Sequence, residues 1–169
     1  MADAELLALA ERLQGLCLGR RLTVAVAESC TGGLVAATLT EIPGASGYFK
    51  GGVVSYADDM KVALLGVPES MLIAHGAVSA QVARVMALEA RNRFGASLAA
   101  SVTGIAGPDG GSAEKPVGLT YLGLADAGMA DVRRHVWTGD RAANRHESAR
   151  ALLRWLIERA ETVSGAAAG

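Results

Sequence analysis

The sequence predicts an α/β fold: a single-domain α/β/α layered sandwich with a mixed sheet that contains a C-terminal antiparallel hairpin. Helical and strand-like segments alternate along 169 residues, a length that suits one compact domain. Half of the residues are apolar but only 4% are aromatic, so the core has to be built mainly from Ala, Val and Leu. We assign residues 1–163 to this domain and expect residues 164–169 to form a frayed tail.

The first half of the chain is predicted to open with a helix. Leucines recur at helical spacing between Leu6 and Leu16, and Gly19 is a natural end for that helix. The elements that follow are a buried strand, an apolar helix, a mobile glycine-rich stretch, a short strand and two short helices. They are placed, in that order, at residues 22–27, 34–40, 43–52 and 53–56, then from Asp58 or Asp59, and from Pro68 to about His75.

A long helix and a second buried strand follow. Ser79 is a natural N-cap for the helix, which reaches Phe94 and ends at Gly95. Residues 97–102 form a continuous apolar strand, and the loop over 103–111 that follows is dense in glycine.

The last part of the chain is predicted to form a hairpin and a helix. The runs 119–125 and 132–137 are separated by a short turn and therefore form an antiparallel pair. Asp140 caps the final helix. Its inward side carries five apolar residues: Ala149, Leu152, Leu153, Leu156 and Ile157.

Composition excludes several classes of function. The net charge of −1 argues against a nucleic-acid-binding surface, which needs clustered Lys and Arg. Cys17 and Cys30 are too few for a disulfide framework and lack metal-ligand spacing, as suits a reducing compartment. The N-terminus is an amphipathic helix with acidic residues rather than a signal peptide, and no apolar run reaches membrane-spanning length. We therefore expect a cytoplasmic protein with no membrane or nucleic-acid partner and no metal.

The segment AESCTGG (residues 27–33) carries the first chemical signal. A strand that enters a helix through a turn with Ser29 presents its hydroxyl beside unpaired backbone N–H groups and the positive end of the helix dipole. Such a turn can cradle a phosphate or hold a nucleophile next to an oxyanion hole. Two other interpretations remain open: Ser29 or Thr31 simply caps the helix, or Cys30 is the nucleophile.

A serine nucleophile requires a base. None of the three histidines has an acidic neighbour pattern that indicates a triad, whereas a lysine whose pKa is lowered by burial is a known alternative. Lys61 lies one helical turn beyond the end of a predicted strand, behind Tyr56, in a chain with only three lysines. An exposed, solvated side chain is the ordinary interpretation of any single lysine.

Two further segments can bind an anion. Backbone N–H groups of the glycine-rich loop after the second buried strand can surround one, and the loop lies at the carboxyl end of its strand, as AESCTGG does. Arg141 and Arg145 are one turn apart on the last helix and can bind a phosphate or carboxylate. The alternatives are that the glycine-rich loop is a plain connection and that the two arginines lie on a solvated surface.

These segments occur in a recognisable order: AESCTGG, GGVVSYADDMK, HGAVS, TGIAGPDGGSAEKPVGLTY and the GDR that opens the last helix. Together they closely resemble the C-terminal domain of competence/damage-inducible protein A, the nicotinamide-nucleotide amidase family. The resemblance covers residues 6–157. Family members often carry an additional N-terminal nucleotide-binding domain, so the chain resembles a stand-alone form.

The resemblance implies hydrolysis of nicotinamide mononucleotide to nicotinate mononucleotide and ammonia, in pyridine-nucleotide recycling and without a cofactor. It implies Ser29 as nucleophile, with Lys61 and Tyr56 as its proton-handling partners. The N–H groups of three turn residues are expected to hold the oxyanion, and five further residues to bind the nucleotide. These are Thr31, Gly32 and Gly33 for the oxyanion, and Thr103, Gly104, Gly107, Arg141 and Arg145 for the nucleotide.

Two alternatives from other classes remain open. The chain could be a non-catalytic nucleotide-binding module whose AESCTGG turn only cradles phosphate, or a phosphatase-like hydrolase of nucleotides. A phosphate cradle needs neither Ser29 nor Lys61, so the presence of both favours catalysis. We further expect a homo-oligomer that acts on a small-molecule nucleotide.

Overall fold

The computed structural model describes residues 3–163 and confirms the α/β fold. The elements alternate along the chain, beginning with a helix and ending with one. In order they are α1 (Ala4–Arg20), β1 (Val24–Glu28), α2 (Leu34–Glu41), a 3₁₀ turn (Ala45–Gly47), β2 (Phe49–Val54), α3 (Asp58–Leu65), α4 (Glu69–His75), α5 (Ala80–Phe94), β3 (Leu98–Gly104), β4 (Leu119–Ala125), β5 (Ala130–Val136) and α6 (Arg141–Thr162).

One mixed sheet organises these elements. Its strand order is β2-β1-β3-β4-β5. The strands β2, β1 and β3 are parallel, whereas β4 is antiparallel to both β3 and β5. The predicted C-terminal hairpin is therefore confirmed. Because β2, β1 and β3 run in the same direction, the segments that follow them meet at one edge of the sheet.

Helices cover both faces of the sheet, which confirms the three-layered sandwich. On one face, α1, α2 and α6 bury a large core of mainly small and aliphatic side chains, including Leu13, Val26 and Leu156. On the other face, α5 and the segment containing α3 and α4 bury a smaller core around Met86 and Leu65. All five residues predicted for the inward side of the last helix are buried.

The glycine-rich stretch over residues 43–52 is the main correction to the predicted elements. It contains the 3₁₀ turn and most of β2, which begins at Phe49 and not at residue 53. Glycine is required there by close packing: a Cβ at Gly52 would lie 2.6 Å from Val26 Cγ2, and Gly51 adopts a φ of +141° against the Phe94 ring. Both glycines therefore belong to a strand and not to a mobile loop.

Other differences are small. The first helix passes through Gly19 and ends at Arg20; the C-cap residue, Arg21, adopts the left-handed conformation with a φ of 56°. Val132–Trp137 is shifted to Ala130–Val136, and β3 extends to Gly104. The tail predicted at residues 164–169 lies outside the described residues. Within residues 3–163, no helix is long and apolar enough to cross a bilayer.

Candidate active site

A cleft of about 280 Å³ opens at the edge where β1, β2 and β3 end. The ends of these strands and the segments after them line it, together with Ala77 and Val78 before α5 and the first residue of α6. Seven of the predicted site residues contribute to its wall: Ser29, Tyr56, Lys61, Thr103, Gly104, Gly107 and Arg141. Four do not: Thr31, Gly32, Gly33 and Arg145.

Ser29 is the first residue after β1 and is held by the sheet. Its backbone N–H donates to Val102 O at 3.0 Å, which continues the pairing of β1 with β3. On the other side, the N–H of Ser55 donates to Glu28 O at 2.9 Å and continues the pairing with β2. The side chain is 7% exposed, so it reaches the cleft from a fixed backbone position.

Lys61 lies opposite Ser29 in the first turns of α3. Its side chain is only 1% exposed, and Nζ lies 3.1 Å from Ser29 Oγ. The same nitrogen lies 2.9 Å from the carbonyl oxygen of Ser55 and 3.2 Å from that of Tyr56. The Asp58 carboxylate is further away, with Oδ1 at 3.7 Å. Lys61 is thus a buried amine surrounded by three oxygens at hydrogen-bond distance.

The surroundings of Lys61 favour loss of its proton. Burial lowers the pKa of Lys61 from its ordinary value of 10.5, while the Asp58 carboxylate and Cys30 act in the opposite direction. A neutral amine has two N–H groups and one lone pair. The carbonyls of Ser55 and Tyr56 can accept the two N–H groups, which leaves the lone pair for the hydroxyl hydrogen of Ser29. The arrangement can therefore accept a proton from Ser29.

The N-terminus of α2 is occupied by the protein's own carboxylate, a feature that the sequence analysis missed. Glu28 is fully buried. Its Oε2 accepts from Thr31 Oγ1 at 2.6 Å, Gly33 N at 3.0 Å and Val35 N at 3.1 Å. Its Oε1 accepts from Ala36 N at 2.8 Å. The helix start is thus capped by a side chain from the preceding strand, and its anion site is filled.

This capping changes the predicted oxyanion hole and argues against a phosphate cradle. The N–H of Gly33 is bonded to Glu28, and that of Gly32 donates to Ser29 O at 3.0 Å. Both groups were predicted, together with the N–H of Thr31, to stabilise an oxyanion, and neither is free to do so; Thr31 does not line the cleft. Cys30 N–H, in contrast, donates to no backbone acceptor within residues 3–163. It is also next to Ser29 in the chain, where acyl-transfer enzymes commonly place an oxyanion donor.

Tyr56 and Arg141 meet at the mouth of the cleft. Arg141 Nη2 donates to the Tyr56 hydroxyl at 2.9 Å, and Nη1 donates to Gly107 O at 2.8 Å. The Tyr56 side chain is 55% exposed. Tyr56, predicted as a proton-handling partner of Ser29, contacts Lys61 through its carbonyl oxygen, whereas its hydroxyl contacts Arg141; Lys61 reaches Ser29 directly.

Arg145 has a structural contact outside the cleft. Its Nη2 donates to Thr31 O at 2.7 Å, on the turn that Glu28 holds from inside. Of the two arginines predicted to bind phosphate, only Arg141 lines the cleft.

Thr103 and Gly104 shape the floor of the cleft. The Thr103 hydroxyl donates to Ala77 O at 2.9 Å and so ties β3 to the segment before α5. A Cβ at Gly104 would lie 2.7 Å from Thr120 Oγ1 and 3.1 Å from Cys30 Sγ. Glycine is needed at position 104 because the backbone passes so close to these side chains.

Cys30 is poorly suited to act as the nucleophile. It is 6% exposed, and burial, together with the nearby Glu28 carboxylate, raises the pKa of its thiol to about 12. A thiol that stays protonated is a weak nucleophile. Of the two neighbouring candidates, Ser29 is the one with a base within reach.

Asn144 is a second buried polar side chain near the cleft that sequence reasoning missed. It is 2% exposed; its Nδ2 donates to Ala106 O at 3.1 Å and its Oδ1 accepts from Gly139 N at 3.0 Å. It therefore fastens the glycine-rich loop of the cleft to the start of α6. A polar residue on the inward side of an amphipathic helix, one turn after the Asp140 cap, was the available signal.

Comparison with known proteins identifies the family. The sequence profile of the CinA C-terminal domain matches residues 6–160. The CinA-like protein of Geobacter sp. (strain M21) is 51% identical over 146 residues, which cover 86% of this chain and 35% of that protein. The CinA-like protein of Chlorobaculum tepidum is 48% identical over 156 residues, 89% of this chain and 37% of that protein. The chain spans about a third of the length of these relatives.

Solved structures agree with this assignment. The competence/damage inducible protein CihA from Agrobacterium tumefaciens is 42% identical, with a TM-score of 0.88 over 94% of this chain and 97% of that one. A competence-damaged protein (CinA) superfamily protein from Klebsiella pneumoniae is 29% identical, with a TM-score of 0.90 over 94% and 99%. The chain belongs to the CinA C-terminal domain family.

Proposed function

We propose that this member of the CinA C-terminal domain family is an amidohydrolase that converts nicotinamide mononucleotide to nicotinate mononucleotide and ammonia. The observation that carries the proposal is the contact between the buried Lys61 amine and the Ser29 hydroxyl, 3.1 Å apart in a cleft. A serine paired with a deprotonated lysine is an arrangement for acyl transfer. The resemblance of the ordered motifs supports this choice of amide.

The first step is attack on the carboxamide. Neutral Lys61 removes the proton from Ser29 Oγ, and the oxygen forms a bond to the carboxamide carbon, whose C=O electron pair moves to its oxygen. The N–H of Cys30 is the donor that we assign to this oxyanion. The Lys61 ammonium is stabilised meanwhile by the carbonyl oxygens of Ser55 and Tyr56, at 2.9 and 3.2 Å.

The second step releases ammonia. As the tetrahedral carbon collapses, its C–N bond breaks and the Lys61 ammonium gives a proton to the departing nitrogen. Lys61 is then neutral again and can take a proton from water, which attacks the acyl-enzyme ester. Collapse of this second tetrahedral state breaks the bond to Ser29, whose oxygen takes back the proton from the Lys61 ammonium. The carboxylic acid that remains gives its proton to the released ammonia and leaves as the carboxylate.

The nucleotide part is assigned to the opposite side of the cleft. The α2 N-terminus is filled by Glu28, so the substrate phosphate has to bind elsewhere. Arg141 lies at the cleft mouth with its guanidinium on Tyr56 and Gly107, and it is the cation that we assign to the phosphate.

Ammonia release tests the proposal directly. Purified protein is incubated with nicotinamide mononucleotide, and ammonia and nicotinate mononucleotide are measured in parallel with a Ser29→Ala control. We expect equal amounts of both products from the wild type and neither from the variant. Absence of both products from folded wild-type protein would overturn the proposal.

The same incubation distinguishes the amidase from the phosphatase-like alternative. An enzyme of that class would release inorganic phosphate and leave the carboxamide intact. The non-catalytic alternative predicts substrate binding with neither product, and it is opposed by the carboxylate that occupies the turn where the phosphate would bind.

A further inference from the structure

We infer that Glu28 is a positioning residue for Ser29: its buried carboxylate holds the strand-to-helix turn in the shape that directs the serine hydroxyl at Lys61. The inference rests on the proposed role of Ser29 as nucleophile. Glu28 does not line the cleft, and within residues 3–163 no hydrogen bond joins it to Lys61.

The hydrogen bonds of Glu28 span the whole turn. Four donors, from Thr31 to Ala36, converge on its two oxygens at 2.6 to 3.1 Å. The backbone N–H of Leu34 donates to Thr31 O and that of Ala37 to Gly33 O, so the remaining groups of the helix start are also bonded. The turn and the first turn of α2 are thus tied to one carboxylate that belongs to the last residue of β1.

In the chain, Ser29 lies between Glu28 and the turn that the Glu28 carboxylate holds. Glu28 is fixed in the sheet by its neighbours on both sides, and the turn beyond Ser29 is fixed by the Glu28 side chain. Arg145 holds the same turn from the opposite side through Thr31 O. Because the Ser29 N–H is anchored to β3, a shift of the turn relative to the strand is taken up by the backbone torsions of Ser29 and re-aims its side chain. Misplacement of a reacting group by about 1 Å can cost ~100-fold in rate.

A merely stabilising cap would not require this residue. A Ser, Thr or Asp at the N-cap position contributes about 1 kcal/mol without burying a charge, whereas a carboxylate removed from water is costly unless every oxygen is satisfied. Here Gly33 occupies the N-cap position and offers no side chain. The capping side chain comes instead from Glu28, the residue next to Ser29. Helix capping and the placement of Ser29 therefore depend on the same residue.

The test measures the reactivity of Ser29 with a probe that does not depend on the amidase reaction. A fluorophosphonate labels activated serines, and mass spectrometry identifies the labelled residue. We expect Glu28→Gln to slow labelling of Ser29 by 10- to 100-fold, to lower kcat for ammonia release by a similar factor and to leave KM within about threefold. Glu41→Gln, at the exposed far end of α2, is the matched control and should label like the wild type.

Two further variants keep the test decisive if Glu28→Gln is unstable. Thr31→Val removes one donor but leaves the carboxylate, and a smaller decrease in labelling is expected. Glu28→Ala exposes the four donors, so added formate should bind there and restore labelling in a saturable manner. The wild type should not respond to formate.

The outcomes distinguish this inference from the proposed function. Wild-type labelling rates in folded Glu28→Gln and Thr31→Val, or no response of Glu28→Ala to formate, would overturn the inference, even if ammonia is released from the mononucleotide. Glu28-dependent labelling in a protein that releases no ammonia would support the inference and overturn the amidase proposal alone.

Discussion

Lys61 Nζ and Ser29 Oγ lie 3.1 Å apart although the two residues are 32 positions apart in the chain. The contact arises from the parallel pairing of β1 and β2. Strand β1 leads into Ser29, and β2 leads through Ser55 and Tyr56 into the helix that carries Lys61. Two strands that end at the same edge of the sheet therefore bring the proposed nucleophile and its proposed base to one cleft.

The first prediction separates the two neighbouring nucleophiles. Ser29→Ala should lower kcat for ammonia release by at least ~10³-fold, because it removes the atom that attacks the carboxamide. The free energy of unfolding should change by only about 1 kcal/mol, the value of one hydrogen bond. Cys30→Ala should keep most of its turnover, since the thiol is buried and protonated. The reverse pattern in steady-state kinetics would reassign the nucleophile to Cys30.

The second prediction distinguishes the two arginines of α6. Arg141→Ala should raise KM for nicotinamide mononucleotide by ~10- to 100-fold, the value of a lost charge-assisted contact, with a smaller effect on kcat. Arg145→Ala should instead lower kcat, because Arg145 holds the turn behind Ser29 through Thr31 O. Free nicotinamide, which has no phosphate, should be a poor substrate of the wild type and insensitive to Arg141→Ala. Equal turnover of nicotinamide and its mononucleotide would remove the case for a phosphate site.

Much of this site could be predicted from the sequence because its parts follow strand ends. Ser29, Lys61 and the loop that contains Gly104 and Gly107 come directly after predicted strands or one turn later, and parallel strands bring such segments together. Arg141 was identified by its position at the start of the last helix. The sequence could not tell whether Arg141 or Arg145 binds the phosphate, because residues one turn apart on a helix share a face.

Other features depend on partners that a sequence does not display. The four donors to Glu28 are three backbone N–H groups and one hydroxyl, and backbone groups carry no residue-type signal. The same is true of the Tyr56 carbonyl, which contacts Lys61 while the Tyr56 hydroxyl contacts Arg141. Strand β2 was placed too late because Gly51 and Gly52 are typical of loops, and only the packing against Phe94 and Val26 shows why a strand needs them.

The third prediction concerns the protonation of Lys61. Lys61→Arg keeps a positive charge but cannot lose its proton near neutral pH, so kcat should decrease by ~10²- to 10⁴-fold, the usual contribution of general base catalysis.

Fluorescence-monitored unfolding provides a second readout of the Lys61 pKa, through the variant Lys61→Met. The pKa of Lys61 is lowered in the folded state, so the unfolded chain binds more protons between that lowered value and 10.5. The free energy of unfolding of the wild type relative to Lys61→Met should therefore rise with pH across this window and become constant above it. A flat difference would mean that the pKa of Lys61 is not lowered.

The last prediction uses Asp58 to move the activity profile along the pH axis. Its carboxylate lies 3.7 Å from Lys61 Nζ and, although 65% exposed, favours the ammonium form and so opposes the effect of burial on the Lys61 pKa. Asp58→Asn should lower that pKa further. Because the base has to be neutral, kcat rises as pH increases through the Lys61 pKa, and the variant should reach its plateau at lower pH than the wild type.

Asp59→Asn is the matched control. It removes the same charge from the adjacent residue, which does not line the cleft, and should leave the profile nearly unchanged. The shift should also shrink at high salt, since exposed charges are screened. The measurement is the profile of kcat against pH for the wild type and the two variants. A shift to higher pH in Asp58→Asn, or equal shifts in both variants, would contradict the assignment of Lys61 as a base whose ammonium form is favoured by Asp58.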